Sequence, residues 1–453
     1  MRSLVHGFAI AGESTAVALR RYGHEVTVTD DAIDSAKEQR AVDAGFSLGS
    51  LPDGDALDAF VRQFDLIAPA PGVPEHHRLI ECAQRAGVTI SSEIEIAYAT
   101  EQQRDGGPRP ILAVTGTDGK TTTCELAVAM LRVGGIRSLA VGNTDVPFIE
   151  ALEQPLDVYV VECTSFRLAW SEVFRADAAV WLNLAPDHLN WHRDMSSYEA
   201  AKAKMFAQQH RSDTAIGCSH DPIVMTHLQA APSRQITFGF EGDYHFNNGV
   251  LMSPRGPIIS ASEMTRSLPH DITNALAAAA LVMESGLVGV DSVAAALRDF
   301  EAPVHRLQFV AEVSGVRWFN DSKATTPHAA SAAIRAFPTS VLIAGGRNKD
   351  LDLTPMAAAG GSLRGVVAIG EAASEIADVF GGMVEVVTAG SMETAVDLAA
   401  RLADGHGEVV LSPGCASFDW YPSGGYPARG DHYIRLVKER MNQEVSELSG
   451  GAT

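Results

Sequence analysis

Residues 111–131, ILAVTGTDGKTTTCELAVAML, constrain the fold more than any other stretch of the chain. Residues 111–115 read as a buried strand, and from Thr121 to about Arg132 the apolar positions follow a helical period. Between them lies a turn containing Gly116 and Gly119. A glycine turn from a strand into a helix presents backbone N–H groups and the positive end of the helix dipole, a place suited to phosphate. Gly116, Thr117, Asp118, Gly119 and Thr122 are therefore expected to surround a triphosphate, with Lys120 reaching its β- and γ-phosphates. The hydroxyl of Thr121 is placed to join the coordination shell of Mg²⁺. Val114 stands where the standard spacing has a glycine, so the turn is a shortened variant of the P-loop.

Two further strands are expected nearby, at 158–161 and 178–184. Glu162 follows the first and His188 the second. The carboxyl ends of strands in one parallel sheet converge on a common crevice, and Mg²⁺ takes carboxylate, water and phosphate oxygens there. Glu162 and His188 are the candidate metal ligands.

Strand-like and helix-like segments alternate along the whole chain, the rhythm of βαβ folds. The fold class is α/β with three domains: a Rossmann-like domain at 1–102, a central P-loop ATPase-like parallel sheet at 103–302, and a second Rossmann-like domain at 303–453. The first block should open with a strand at 4–10, turn at 11–14, form a helix to Tyr22 and return as a strand at 25–29 ending in Asp30. EQQRDGGPRP, at 101–110, has the polar, glycine- and proline-rich composition of a linker. Helices are expected at 274–283 and 292–300, with a break at 301–303. Strands at 316–320, 341–344, 366–369, 384–387 and 409–411 build the last block.

A chain of 453 residues that is 46% apolar and 20% charged can bury several cores. Its net charge of −21 repels polyanions and argues against nucleic acid and acidic membranes as partners. Five scattered cysteines without a CxxC pair suggest neither a disulfide framework nor a thiolate zinc site. No signal-peptide pattern and no apolar run of membrane-spanning length is present, so a soluble cytoplasmic protein without membrane insertion is expected.

GTDGKTTT at 116–123 is followed by GNT at 142–144, ECTSFRL at 162–168, APDHLNWH at 185–192 and AAKAK at 200–204. NALAAAA at 274–280, His305-Arg306 and NDSKATTPHAA at 320–330 come next. In this order the motifs resemble the Mur ligase family over nearly the whole chain. NDSKAT and SPGCASFDWYPSGGYPARG, at 412–430, resemble its D-glutamate-adding branch.

That resemblance implies ATP-dependent joining of D-glutamate to UDP-N-acetylmuramoyl-L-alanine through an acyl phosphate, in peptidoglycan precursor synthesis, by an enzyme that is a monomer. It implies two Mg²⁺ ions, with Thr121 at the first, Glu162 as a Mg²⁺ ligand and His188 at the second. Lys202 would be carbamylated by CO₂ and become a carboxylate-like ligand of the second ion. Lys120, His188 and Lys202 are thus the implied catalytic residues. Asn274 is implied as the adenine contact, with Arg306, Asp321 and Lys323 closing on ribose and phosphates. For the nucleotide-sugar the resemblance points to Ala11, Asp30, Gly72 and Asn143, and for the amino acid to Thr325, Lys349, Ser417 and Tyr426. Two other readings stand beside this one: a superfamily ligase acting on a folate or another muropeptide, and a nucleotide-binding switch without catalysis.

Overall fold

The computed structural model describes residues 1–301 and 303–450; Ala302, at the expected end of the central domain, and residues 451–453 lie outside the described residues. Three sheets follow one another along the described chain. The first contains β1 (Arg2–His6), β2 (Glu25–Thr29), β3 (Leu48–Gly49), β4 (Leu66–Pro69) and β5 (Thr89–Ile90). All pair in parallel in the order β3-β2-β1-β4-β5. Strand order reverses beside β1, which opens a crevice beyond the carboxyl ends of β1 and β4.

The opening strand ends earlier than its apolar run does. β1 stops at His6, and the helix Ile10–Arg21 already contains Ala11 and Gly12, where a turn is expected from sequence. The reversal happens at Gly7, whose φ of +92° is a glycine conformation. Phe8 then plugs the core, while Ile10 is 65% exposed. An unbroken apolar run joins strand, turn and helix here, and periodicity alone does not divide them.

The second sheet contains β6 (Ile111–Thr115), β7 (Ser138–Gly142), β8 (Val158–Glu162), β9 (Ala178–Trp181), β10 (Thr214–Cys218), β11 (Arg234–Gly239), β12 (Tyr244–Asn247), β13 (Val250–Ser253) and β14 (Gly256–Ser260). Their order is β14-β13-β12-β11-β10-β9-β6-β8-β7. Strands β6 to β12 pair in parallel, and β12 to β14 form an antiparallel meander. The helix Pro269–Glu284 begins five residues before its expected start, and every residue from Ala275 to Met283 is buried. Its alanines let that helix approach the sheet and the helix Lys120–Val133 closely.

The third sheet contains β15 (Gln308–Val313), β16 (Val316–Asn320), β17 (Val341–Gly345), β18 (Gly365–Ile369), β19 (Val386–Ala389) and β20 (Gly407–Gly414), in the order β15-β16-β20-β17-β18-β19. Only β15 is antiparallel to its neighbour. The chain divides into two compact units: residues 1–184 with 188–300, and residues 185–187 with those from 301 on. The first two sheets therefore share one unit. All five cysteines are free thiols, and no helix among the described residues is long and apolar enough to cross a membrane.

The expected linker at 101–110 is pinned at both ends. Glu101 closes the helix Glu93–Glu101 and is 2% exposed, and Arg109 is buried beside it. Arg109 donates to the Glu101 carboxylate from its backbone N–H at 2.9 Å, from Nε at 2.8 Å and from Nη2 at 2.7 Å. The carbonyls of Leu152 and Gln154 take two of its three remaining guanidinium protons, and the Tyr159 hydroxyl donates to Glu101. The polar composition that suggests a solvated linker is partly that of a buried ion pair. Arg109→Ala strands a buried carboxylate, and a loss of about 3–5 kcal/mol in unfolding free energy is expected by urea titration. Arg137→Ala, at the exposed Arg137–Asp157 pair, should shift the same curve far less.

Candidate active site

At the end of β6 the chain turns through Gly116 and Gly119, with φ of +153° and +87°. Gly119 is the N-cap of the helix Lys120–Val133 and leaves its first turn without a side-chain cap. First-turn N–H groups and the helix dipole are thereby directed at the turn, as the sequence suggests. Asn183, two residues beyond β9, staples the loop: its Oδ1 accepts from the N–H groups of Thr117 and Asp118 at 3.0 Å each, and its Nδ2 donates to the Asp118 carbonyl. Asn274 lies across the turn, close enough that a Cβ on Gly119 would meet its Oδ1 at 2.7 Å. The Thr117 hydroxyl bonds the Tyr198 hydroxyl at 3.0 Å. Thr121 and Thr122 follow on the helix's first turn.

Two lysines meet at one carbonyl. Lys120 Nζ donates to the carbonyls of Gly116, at 2.9 Å, and Thr117, at 2.8 Å. Lys202, on the helix Met195–Ala207, is only 1% exposed and donates to the same Gly116 carbonyl at 2.7 Å. Its ammonium also lies 4.8 Å from the Tyr198 ring centroid.

Glu162 ends β8, one strand over from β6, and is 1% exposed. Its Oε1 accepts from Asn143 Nδ2 at 2.9 Å, while its Oε2 is buried with no partner among the described residues. Asn143 is held in turn by Arg167, whose Nη1 donates to the Asn143 Oδ1 at 2.9 Å. Arg167 also donates to the Gly142 carbonyl and, from Nε, to Glu93 at 3.4 Å. Burial pushes the Glu93 carboxyl above its ordinary range, against the pull of Arg167 and the Ile149 N–H. Neither Arg167 nor Glu93 stands out in the sequence, although Arg167 falls inside ECTSFRL.

His188 adopts a φ of +58°, a left-handed conformation rare for a residue with a side chain. Its ring packs edge-on against Phe166 at 4.5 Å. The loop after it is tied to the first sheet's crevice: Trp191 Nε1 donates to the Pro71 carbonyl at 2.8 Å, the Glu75 N–H donates to the Trp191 carbonyl, and His192 Nδ1 bonds Glu75 at 2.9 Å. Burial lowers the His192 pKa, against Glu75, which raises it.

In that crevice Ala11 is half-buried and Gly72 exposed. Asp30 is turned inward: it accepts from the Phe8 N–H at 2.7 Å and from the Ala32 N–H and Lys37 Nζ at 2.8 Å each. Burial raises its carboxyl, but Lys37 and the two N–H groups outweigh that and hold it below the ordinary value. Asp30 thus shapes the glycine turn. The next residue, Asp31, draws His6 and His77 together, with their rings stacked at 4.9 Å; the sequence does not suggest this trio.

In the second unit Arg306 lies between His305 and Leu307, both with positive φ. Asp321 accepts from the Leu307 N–H at 3.1 Å and the Ser412 hydroxyl at 2.8 Å. Lys323 Nζ lies 5.5 Å from the Tyr426 ring centroid. Thr325 is half-buried, Ser417 buried, and Lys349 Nζ pairs with Asp187 at 2.9 Å. Arg429, which sequence reading passes over, is 1% exposed and ties Ser322 to the Cys415 and Ala416 carbonyls. Desolvation lowers its pKa to about 10.

The Mur ligase middle-domain model matches residues 114–282, and the model of the Mur ligase glutamate ligase domain matches residues 305–415. A UDP-N-acetylmuramoylalanine–D-glutamate ligase of Frankia casuarinae is 39% identical, over 96% of this chain and 94% of that protein. The chain belongs to the Mur ligase family. A ligase of the same name from Thermobifida fusca is 35% identical, over 96% and 98%. Among solved structures, a pseudomurein peptide ligase type C from Methanothermus fervidus superposes with a TM-score of 0.60 at 16% identity, over 98% and 99% of the two chains. MurC from Thermotoga maritima gives 0.59 at 16%, over 97% and 99%. At that identity the structures share the α/β Mur ligase fold with this chain.

Gly119→Ala tests the turn within the family fold. The new methyl meets Asn274, and the left-handed conformation costs about 1–2 kcal/mol for a non-glycine residue. A lower melting temperature and at least tenfold weaker binding of a non-hydrolysable ATP analogue are expected by calorimetry.

Proposed function

We propose that this chain is an ATP-dependent ligase that adds D-glutamate to UDP-N-acetylmuramoyl-L-alanine in cytoplasmic peptidoglycan precursor synthesis, as a monomer. Identity of 39% to a protein of that name, over nearly the full length of both chains, carries the proposal. Three functional domains, at about 1–102, 103–302 and 303–453, would serve the nucleotide-sugar, ATP and the amino acid respectively.

The substrate's alanyl carboxylate attacks the γ-phosphorus of ATP, and ADP leaves. The resulting acyl phosphate is attacked by the amine of D-glutamate, which loses a proton as phosphate departs and the amide forms. A carboxylate approaching a triphosphate meets strong charge repulsion, so cations and fixed dipoles must offset it. Lys120 and the first-turn amides of its helix supply them, with Gly116, Thr117, Asp118, Thr121 and Thr122 around the phosphates. The unpartnered buried oxygen of Glu162 fits a metal ligand. Thr121, Glu162, His188 and a carbamylated Lys202 would hold two Mg²⁺ ions, whose chemistry is to neutralise charge on the phosphoryl group being transferred. Carbamylation, in which the neutral amine adds to CO₂ and loses a proton, would turn the buried cation at the Gly116 carbonyl into an anion. Asn274, Arg306, Asp321 and Lys323 are assigned to the nucleotide, Ala11, Asp30, Gly72 and Asn143 to the nucleotide-sugar side, and Thr325, Lys349, Ser417 and Tyr426 to D-glutamate.

Phosphate release from ATP, measured with UDP-N-acetylmuramoyl-L-alanine and a panel of D- and L-amino acids, should require D-glutamate and vanish in Lys120→Ala. Efficient use of L-glutamate, L-lysine or meso-diaminopimelate would refute the amino-acid assignment, and ATP turnover without any amino acid would favour a switch. In the same assay Lys202→Ala should be inactive and partly restored by a small added carboxylate. Full wild-type activity in CO₂-free buffer, with an unmodified amine by mass spectrometry, would overturn the carbamate.

A further inference from the structure

Asn143 stands between two buried charged groups, and its amide is read in only one orientation. Its Nδ2 donates to Glu162 Oε1, and its Oδ1 accepts from Arg167 Nη1, both at 2.9 Å. A carboxylate only accepts here and a guanidinium only donates, so the two neighbours settle which end of the amide faces which. With Arg167 absent, the Glu162 carboxylate still disfavours turning Oδ1 toward itself, but the amide is held at one end only and is free to swing out of line.

Arg167 is itself over-determined. It is 5% exposed on the short helix Ser165–Ala169, donates to the Gly142 carbonyl at 3.2 Å, and reaches Glu93 Oε2 at 3.4 Å. Glu93, 4% exposed, lies in the first turn of the helix Glu93–Glu101, and its other oxygen accepts from the Ile149 N–H at 2.7 Å. A continuous path of hydrogen bonds therefore runs from Glu93 through Arg167 and Asn143 to the one carboxylate at the carboxyl end of β8.

We propose that Arg167 is a positioning residue: by locking the Asn143 amide it aims the open oxygen of Glu162 at the metal and the second Nδ2 proton of Asn143 at the substrate. The inference rests on Glu162 as a metal ligand. Partners that orient a metal-binding carboxylate are typically worth 10–100-fold in metal affinity. Arg167 bonds Asn143, Thr164, the Gly142 carbonyl and Glu93 rather than Glu162 itself, so its effect should be felt through Asn143 and in the metal dependence first.

The experiment is a Mn²⁺ titration of the full chain with a non-hydrolysable ATP analogue, followed by the electron paramagnetic resonance signal of free Mn²⁺, alongside the Mg²⁺ dependence of turnover. Arg167→Met should weaken Mn²⁺ binding and raise the half-saturating Mg²⁺ concentration by about tenfold or more. Arg167→Gln, whose amide can still donate to the Asn143 Oδ1, should recover most of that loss. Because Arg167→Met strands the Glu93 charge and can fail to fold, Glu93→Gln/Arg167→Met serves as the second variant and should show the same metal defect. Unchanged Mn²⁺ binding in the folded double variant, or equal defects in the Gln and Met variants, would overturn the proposal. A wild-type enzyme whose Mn²⁺ binding is insensitive to Glu162→Gln would instead refute the metal assignment on which it rests.

Discussion

A carboxylate with almost no exposed surface, one oxygen tied and the other without a protein partner among the described residues, is the constraint around which the central sheet is organised. Such a group is costly to bury, and it is tolerated only where rigid neighbours or a bound cation offset the lost hydration. Glu162 has a rigid neighbour, and the proposed Mg²⁺ would meet its open oxygen. Asn143 holds it from the end of β7, Arg167 holds Asn143, and the glycine turn ends β6 on the other side. The strand order β9-β6-β8-β7 brings these pieces to one edge without any of them being adjacent in sequence.

The same edge is joined to the crevice of the first sheet. Trp191 and His192, from the loop carrying His188, bond Pro71 and Glu75 beyond β4. The turn assigned to the nucleotide-sugar and the loop assigned to the metal thus belong to one compact unit and share hydrogen bonds. A sugar nucleotide seated at one end would have its carboxylate presented to the other by a rigid connection. The left-handed φ of His188 is the local strain that this loop tolerates to place an imidazole there.

Much of this was legible beforehand, and the parts that were not share a cause. The glycine turn is a local device, with its residues contiguous and its glycines demanded by backbone geometry, so residues 116–122 and the strand-end position of Glu162 could be read directly. Arg167, Glu93, Asn183 and Arg429 act through partners from other elements: 74 residues separate Glu93 from Arg167, and 65 separate Asp118 from Asn183. Nothing local marks a residue whose role is to hold a distant one. The polar stretch at 101–110 does join the first block to the second sheet through exposed turns at 102–108, but its composition does not show that its ends, Glu101 and Arg109, satisfy each other in the interior. The strands β10 to β15 are weakly marked in the sequence, because their apolar runs are short or their edge positions half-exposed, a setting in which alternation is weak.

The chemistry assigned to this arrangement makes the substrate carboxylate the nucleophile toward ATP. An oxygen-18 label in the alanyl carboxylate of UDP-N-acetylmuramoyl-L-alanine follows that atom. Attack through carboxylate oxygen and later expulsion of phosphate transfer one labelled oxygen into the inorganic phosphate released with each amide formed. Mass spectrometry of that phosphate should show the label after a single turnover with D-glutamate; phosphate free of label while the amide accumulates would contradict the acyl-phosphate route.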